Sequence, residues 1–103
     1  MHVSDLASIH IKGLDFLEKN KKSFILNCGY GQGYSVKQII KIFSKIKKNI
    51  IIKIKDRRPG DVAQVYANTK KFKKILKWRP KFNNINKIIK SAIKWEISLN
   101  KIL

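Results

Sequence analysis

Residues 49–72 read NIIIKIKDRRPGDVAQVYANTKKF, and the way this stretch is parsed decides the fold. From Asn49 to Lys55, β-branched isoleucines alternate with polar residues, the period-two pattern of a half-buried strand. Arg58-Pro59-Gly60-Asp61 then has the chemistry of a tight turn, since proline pre-sets its own φ and glycine tolerates a positive one. AQVYA, residues 63–67, reads as a second short strand, and Asn68-Thr69 as the cap of a helix carrying Phe72, Ile75 and Leu76. Strand, turn, strand and helix in succession predict an α/β chain.

The flanking segments extend that pattern. Ser4 is placed to cap a first helix whose positions Leu6, His10, Gly13, Leu14 and Leu17 recur at helical spacing, and EKNKK (18–22) ends it. SFILNCG (23–29) reads as a short buried strand. Ser35 and Gln38 form a capping box ahead of Val36, Ile39, Ile40, Phe43 and Ile46, which share one helical face. Pro80 breaks the chain after Lys77-Trp78-Arg79, and a last helix starts at about Asn84 with Ile85, Ile88, Ile89, Ala92, Trp95 and Leu99 turned inward. Short strands alternate with helices in a single domain of 103 residues, without repeats or a linker.

Composition narrows the function less than the charge suggests. The chain carries 21 lysines but only three arginines and a net charge of +18, which would ordinarily point to a polyanionic partner. Isoleucine, lysine and asparagine together supply 47 of the 103 residues, however, and these are the residues that an adenine/thymine-rich coding sequence over-produces. The lysines are spread from Lys12 to Lys101 rather than gathered in one block, so nucleic acid is an unfavoured partner. Two of the three arginines, Arg57 and Arg58, stand side by side before Pro59. A guanidinium offers a planar fork that fits phosphate or carboxylate bidentately, which an ammonium cannot, so this stretch is a candidate anion site. Cys28 is the only cysteine and cannot form an intrachain disulfide, and His2 and His10 are too few for a metal site. The N-terminal residues lack a signal-peptide pattern, and no apolar run, Ile50 to Ile52 included, exceeds three residues, so a cytoplasmic protein without a membrane span is expected.

Two apparent motifs fail on geometry. Gly29-Tyr-Gly31-Gln-Gly33 resembles a dinucleotide fingerprint, but Tyr34 stands where the sixth-position glycine belongs, and a loop joining the FILN segment to the Ser35 helix explains the glycines. A helix N-terminus there could still face a phosphate. Tyr66 and Lys70 have the Tyr-x-x-x-Lys spacing of a catalytic pair, which works when four residues of helix put both side chains on one face. Tyr66 precedes the predicted cap, so the two are expected to diverge.

What remains, in order, is HVSDLA (2–7), NCGYGQGYSV (27–36), RRPGD (57–61) and YAN (66–68). The series resembles the C-terminal third of the UDP-glucose 4-epimerases, within the extended short-chain dehydrogenase/reductase family, over the whole of this chain. The Arg-Arg-Pro-Gly-Asp segment and the Tyr-Ala-Asn step are its most specific parts. Sugar-nucleotide relatives share the Gly-Asp and a Leu-x-Trp-like step, here Leu76 to Trp78. The resemblance implies a substrate-binding portion of an NAD(P)-binding, Rossmann-type epimerase, spanning residues 1–103, with UDP-sugar as its ligand. By position, the family's diphosphate-binding arginine is Arg58 and its ribose-binding aspartate is Asp61, with Pro59 and Gly60 forming the turn between them. Arg57 is expected to pack or pair locally, with Asp56 as a candidate partner, and Asp5 to cap its helix. The family holds NAD in an N-terminal Rossmann half and carries its chemistry on a Tyr-x-x-x-Lys helix. Neither is identifiable in these residues, so no catalytic residue is assigned and the chain is expected to be inactive alone. A separately encoded Rossmann half or a second copy is the implied partner, and without it Ile85, Ile88 and Ile89 should be poorly covered. The alternative is a small basic protein that binds RNA or another polyanion.

Overall fold

Four α-helices make up the regular structure of the computed structural model, which describes residues 1–102 and the side chains of residues 1–101. They are α1 (Val3–Asn20), α2 (Val36–Ile46), α3 (Lys70–Leu76) and α4 (Ile85–Ile102). At α2 the capping box forms as the sequence dictates: the Gln38 N–H donates to Ser35 Oγ at 3.1 Å and the Ser35 N–H donates to Gln38 Oε1 at 2.7 Å. Ahead of α3, Asn68 Oδ1 accepts from the Lys70 N–H at 3.2 Å, whereas the Thr69 side chain makes no capping bond. The start of α1 differs from expectation. His2 is its N-cap, with Nδ1 accepting from the Ser4 N–H at 3.0 Å.

The helices pack in two pairs, α1 with α3 and α2 with α4. Ile9, Phe72, Leu76 and Trp78 form the buried cluster of the first pair, and Phe16, Leu26, Cys28, Tyr30 and Ile75 close around it. Ile89 on α4 is buried apart from that cluster, and Ile85 and Ile88 beside it are half-buried, so this face is better covered than expected. Ala92 and Trp95, expected inward, are exposed. On α1 the predicted face is the outer one: Leu6, Leu14 and Leu17 are exposed while Asp5 and Ile9 are buried. Counting apolar residues picks the richer stripe, but α1 buries the stripe on which Asp5 can be satisfied.

No strand is formed among the described residues, and the α/β expectation, with its Rossmann-type alternation of strands and helices, is overturned. Segments 23–29, 49–55 and 63–67 contain no regular structure, and among the described residues every backbone-to-backbone hydrogen bond outside the helices is local, spanning four residues or fewer. Alternation specifies which side chains share a face. It does not supply the neighbouring chain whose N–H and C=O groups complete a ladder. Ile51 and Ile54 are accordingly 88% and 97% exposed. The chain exposes 9325 Å², against roughly 6,000 Å² for a compact protein of this mass. Its radius of gyration is 17.2 Å, against about 13 Å for a compact domain of this length.

Candidate functional site

Arg58, Pro59, Gly60 and Asp61 form a type II turn. The Asp61 N–H donates to the Arg58 carbonyl at 3.2 Å, and Gly60 takes the positive φ, 83°, that the third position of this turn requires. Nothing lies within 4 Å of where a Gly60 Cβ would stand, so backbone conformation alone demands glycine there. The turn brings the two predicted ligand-binding side chains together. Asp61 Oδ2 accepts from both the backbone N–H and Nε of Arg58, each at 3.3 Å. Their side chains are 83% and 43% exposed, so water screens the pair and it contributes little to stability. Its value is directional. The contact uses one edge of the guanidinium, at Nε, and one carboxylate oxygen, leaving the terminal nitrogens of Arg58 and Oδ1 of Asp61 for a ligand. Among the described residues this is the sole ion pair, so of the two local roles expected for Arg57, the pairing with Asp56 does not form.

Downstream of the turn, residues 62–66 form one wall of an open cleft of about 770 Å³, whose other wall is the glycine loop and the start of α2, residues 31–36 with Gln38. Close approach explains the glycines. A Cβ on Gly33 would stand 3.1 Å from the Tyr66 ring, and one on Gly31, where φ is 73°, would stand 2.9 Å from Thr69 Oγ1. The loop is therefore fitted against the 66–69 segment. The Ser35–Gln38 box also occupies donors at the α2 N-terminus that a phosphate would need. These residues do not fit a dinucleotide. Tyr66 precedes α3 and Lys70 opens it, so the two do not share a helix.

Asp5 is the residue whose role the sequence misassigned. It is 1% exposed and does not cap α1. Instead it accepts from the Tyr30 hydroxyl at 2.6 Å and from the backbone N–H groups of Lys81 (3.1 Å, to Oδ1) and Phe82 (3.0 Å, to Oδ2). Burial opposes its charge, but these three donations, helped by nearby His2, outweigh burial and hold the carboxyl below its ordinary value. Burial and the bond to Asp5 push Tyr30 up to about 12. The Tyr30 hydroxyl also accepts from the His2 N–H at 3.1 Å, and the His2 ring stacks on Phe82 with centroids 4.5 Å apart. Ser8 extends the network by accepting from Trp78 Nε1 at 2.8 Å. Partners 25 to 77 residues apart in sequence leave no local signal.

No family model matches the chain. Among curated proteins, it is 36% identical over 102 residues to UDP-glucose 4-epimerase of Azospirillum brasilense, covering 98% of this chain and 29% of that protein. It is 38% identical over 97 residues to UDP-glucose 4-epimerase of Bifidobacterium longum subsp. longum, covering 93% of this chain and 28% of the other. With a putative UDP-arabinose 4-epimerase 2 of Arabidopsis thaliana it shares 36% identity over 95 residues, 91% of this chain and 22% of the relative. The chain thus spans less than a third of the length of these relatives. No helix among the described residues is long and apolar enough to cross a membrane. The resemblance carried by the HVSDLA, glycine-loop and RRPGD motifs therefore extends over nearly the whole chain, which is similar to a portion of the UDP-glucose 4-epimerases.

Proposed function

We propose that this chain is the substrate-side, C-terminal portion of a UDP-glucose 4-epimerase and that it seats the UDP of a UDP-sugar. Arg58 forks onto the diphosphate, Asp61 holds the ribose hydroxyls, and Pro59-Gly60 sets the distance between them. The carrying observation is the turn itself, which presents a bidentate donor and a carboxylate acceptor side by side on an exposed edge. The named relatives support the nucleotide half of the ligand over a polyanion, because their names share UDP while differing in the sugar. In the complete enzyme, NAD and the catalytic pair belong to a Rossmann half, supplied by a partner chain or a longer protein, in the cytoplasm. Bound there, NAD would supply reversible hydride transfer. This chain's share is binding and orientation, and alone it does not interconvert UDP-galactose and UDP-glucose.

Calorimetric titration of UDP into the chain joined to a matching N-terminal half tests the assignment. Arg58→Lys keeps the charge but loses the fork, so affinity should fall about 10- to 100-fold, the equivalent of one charge-assisted hydrogen bond of roughly 1.5–3 kcal/mol. Arg57→Lys should change affinity much less. Asp61→Asn should weaken UDP but leave inorganic diphosphate nearly unaffected. Equal losses at Arg57 and Arg58 would remove the basis for assigning the second arginine.

A further inference from the structure

Among the described residues the glycine loop makes no backbone-to-backbone hydrogen bond to any distant segment, yet it forms a wall of the cleft. Two things hold it. On one side, the missing Cβ atoms of Gly29, Gly31 and Gly33 let it lie against Ala67, Thr69 and Tyr66, where added Cβ atoms would stand at 3.2, 2.9 and 3.1 Å. On the other, Tyr30 reaches out of the loop to Asp5 at 2.6 Å. Asp5 cannot shift with it, because Lys81 and Phe82 fix both carboxylate oxygens. The Tyr30 hydroxyl has one proton and two acceptors in reach, Asp5 at 2.6 Å and the Phe82 carbonyl at 3.4 Å, and the shorter, charged acceptor takes it. Gly29 and Gly31 are its immediate neighbours, so a displacement of Tyr30 transfers directly to the contacts with Ala67 and Thr69.

We infer that the Asp5–Tyr30 contact fixes the position of the glycine loop and thereby the width of the cleft facing residues 62–66, which makes Tyr30 and Asp5 positioning residues for the ligand. The effect on ligand binding rests on the proposal that this cleft, beside the Arg58–Asp61 turn, receives part of UDP. Neither residue touches the ligand, and both act through the loop.

The test compares the chain with Tyr30→Phe, which removes the hydroxyl and keeps the ring, and Asp5→Asn, which keeps Tyr30 and weakens its acceptor. Amide resonances of Gly29, Gly31 and Gly33 are followed by ¹H–¹⁵N NMR, with Gly60 as the internal control, and UDP is titrated by calorimetry. In Tyr30→Phe the three loop glycines should move, Gly60 should not, and UDP affinity should fall about tenfold, the scale of one hydrogen bond. Asp5→Asn should move the same resonances in the same direction, and it answers the question if loss of the hydroxyl lowers the helix content. Loop glycine resonances that coincide with wild type in both folded variants would overturn the inference. Resonances that move without any change in UDP affinity would uphold the loop placement and overturn the cleft as a UDP seat.

Discussion

At Asp5 a carboxylate has been withdrawn from water and given three donors, which makes the stability of the chain depend on pH in a defined direction. Its folded-state value lies below the ordinary 3.8, so its contribution is present above that pH and is lost as pH falls through the lowered value. Tyr30 has the opposite sense. Its value is raised from 10.0 to about 12, so its contribution is complete below pH 10 and is lost as pH climbs toward 12. The pair therefore stabilises the fold between about pH 4 and pH 10. Asp5→Asn offers one acceptor oxygen where the carboxylate offers two, and its amide would face the Lys81 or Phe82 N–H. Melting followed by circular dichroism should show a loss of roughly 2 kcal/mol at pH 7 that shrinks at pH 3. A loss that stays constant from pH 7 to pH 3 would remove the charge from this account. The turn that brings Arg58 and Asp61 together was legible because four residues of one chain make a local structure. Asp5 was not, because its donors arrive from Tyr30 and from residues 81–82, and only packing reveals them.

Among the elements, those that satisfy themselves are the ones that sequence determines. The α2 capping box needs only Ser35 and Gln38, four positions of one chain, and it forms as expected. Ser35→Ala should cost about 1 kcal/mol, read as a lower melting temperature and faster amide exchange in the first turn of α2. The glycine loop gives a sharper expectation, since Gly31 combines a φ of 73° with 2.9 Å of clearance to Thr69 Oγ1. Gly31→Ala meets both obstacles and should destabilise by more than 1 kcal/mol, whereas Gly60→Ala meets only the positive φ and should cost less. Equal losses at the two positions would show that the approach of Thr69 does not constrain the loop. The elements that failed to appear, at 23–29, 49–55 and 63–67, are those whose formation depends on a neighbouring strand. Their alternation is genuine, but a ladder needs two members, and the described residues bring none of the three beside another as a pair.

For the molecule as a whole, the opposing terms are apolar exposure and charge. Ile25, Ile51, Ile54 and Val65 are each more than 80% exposed, and Leu14 and Trp95 add further apolar surface on α1 and α4. Such surface favours association. A net charge of +18 on 103 residues opposes it, because each copy repels the next. Ionic strength decides the balance: the screening length falls from about 10 Å at 0.1 M salt to about 3 Å at 1 M, which weakens repulsion and leaves hydrophobic attraction in place. The chain should therefore be monomeric in dilute salt and associate as salt is raised, and sedimentation velocity at 0.05 M and 1 M sodium chloride measures this directly. Thermal unfolding should be broad at both, because the buried cluster is small for the length of chain it must hold. Adding a chain that carries the remaining portion of a UDP-glucose 4-epimerase should suppress the salt-induced association, sharpen the melt and restore epimerase activity together, since one docking event would cover the isoleucines and complete the site. A sharp monomer peak at both salt concentrations, with a cooperative melt of the chain alone, would show that these surfaces need no cover and would remove the reason to expect a partner.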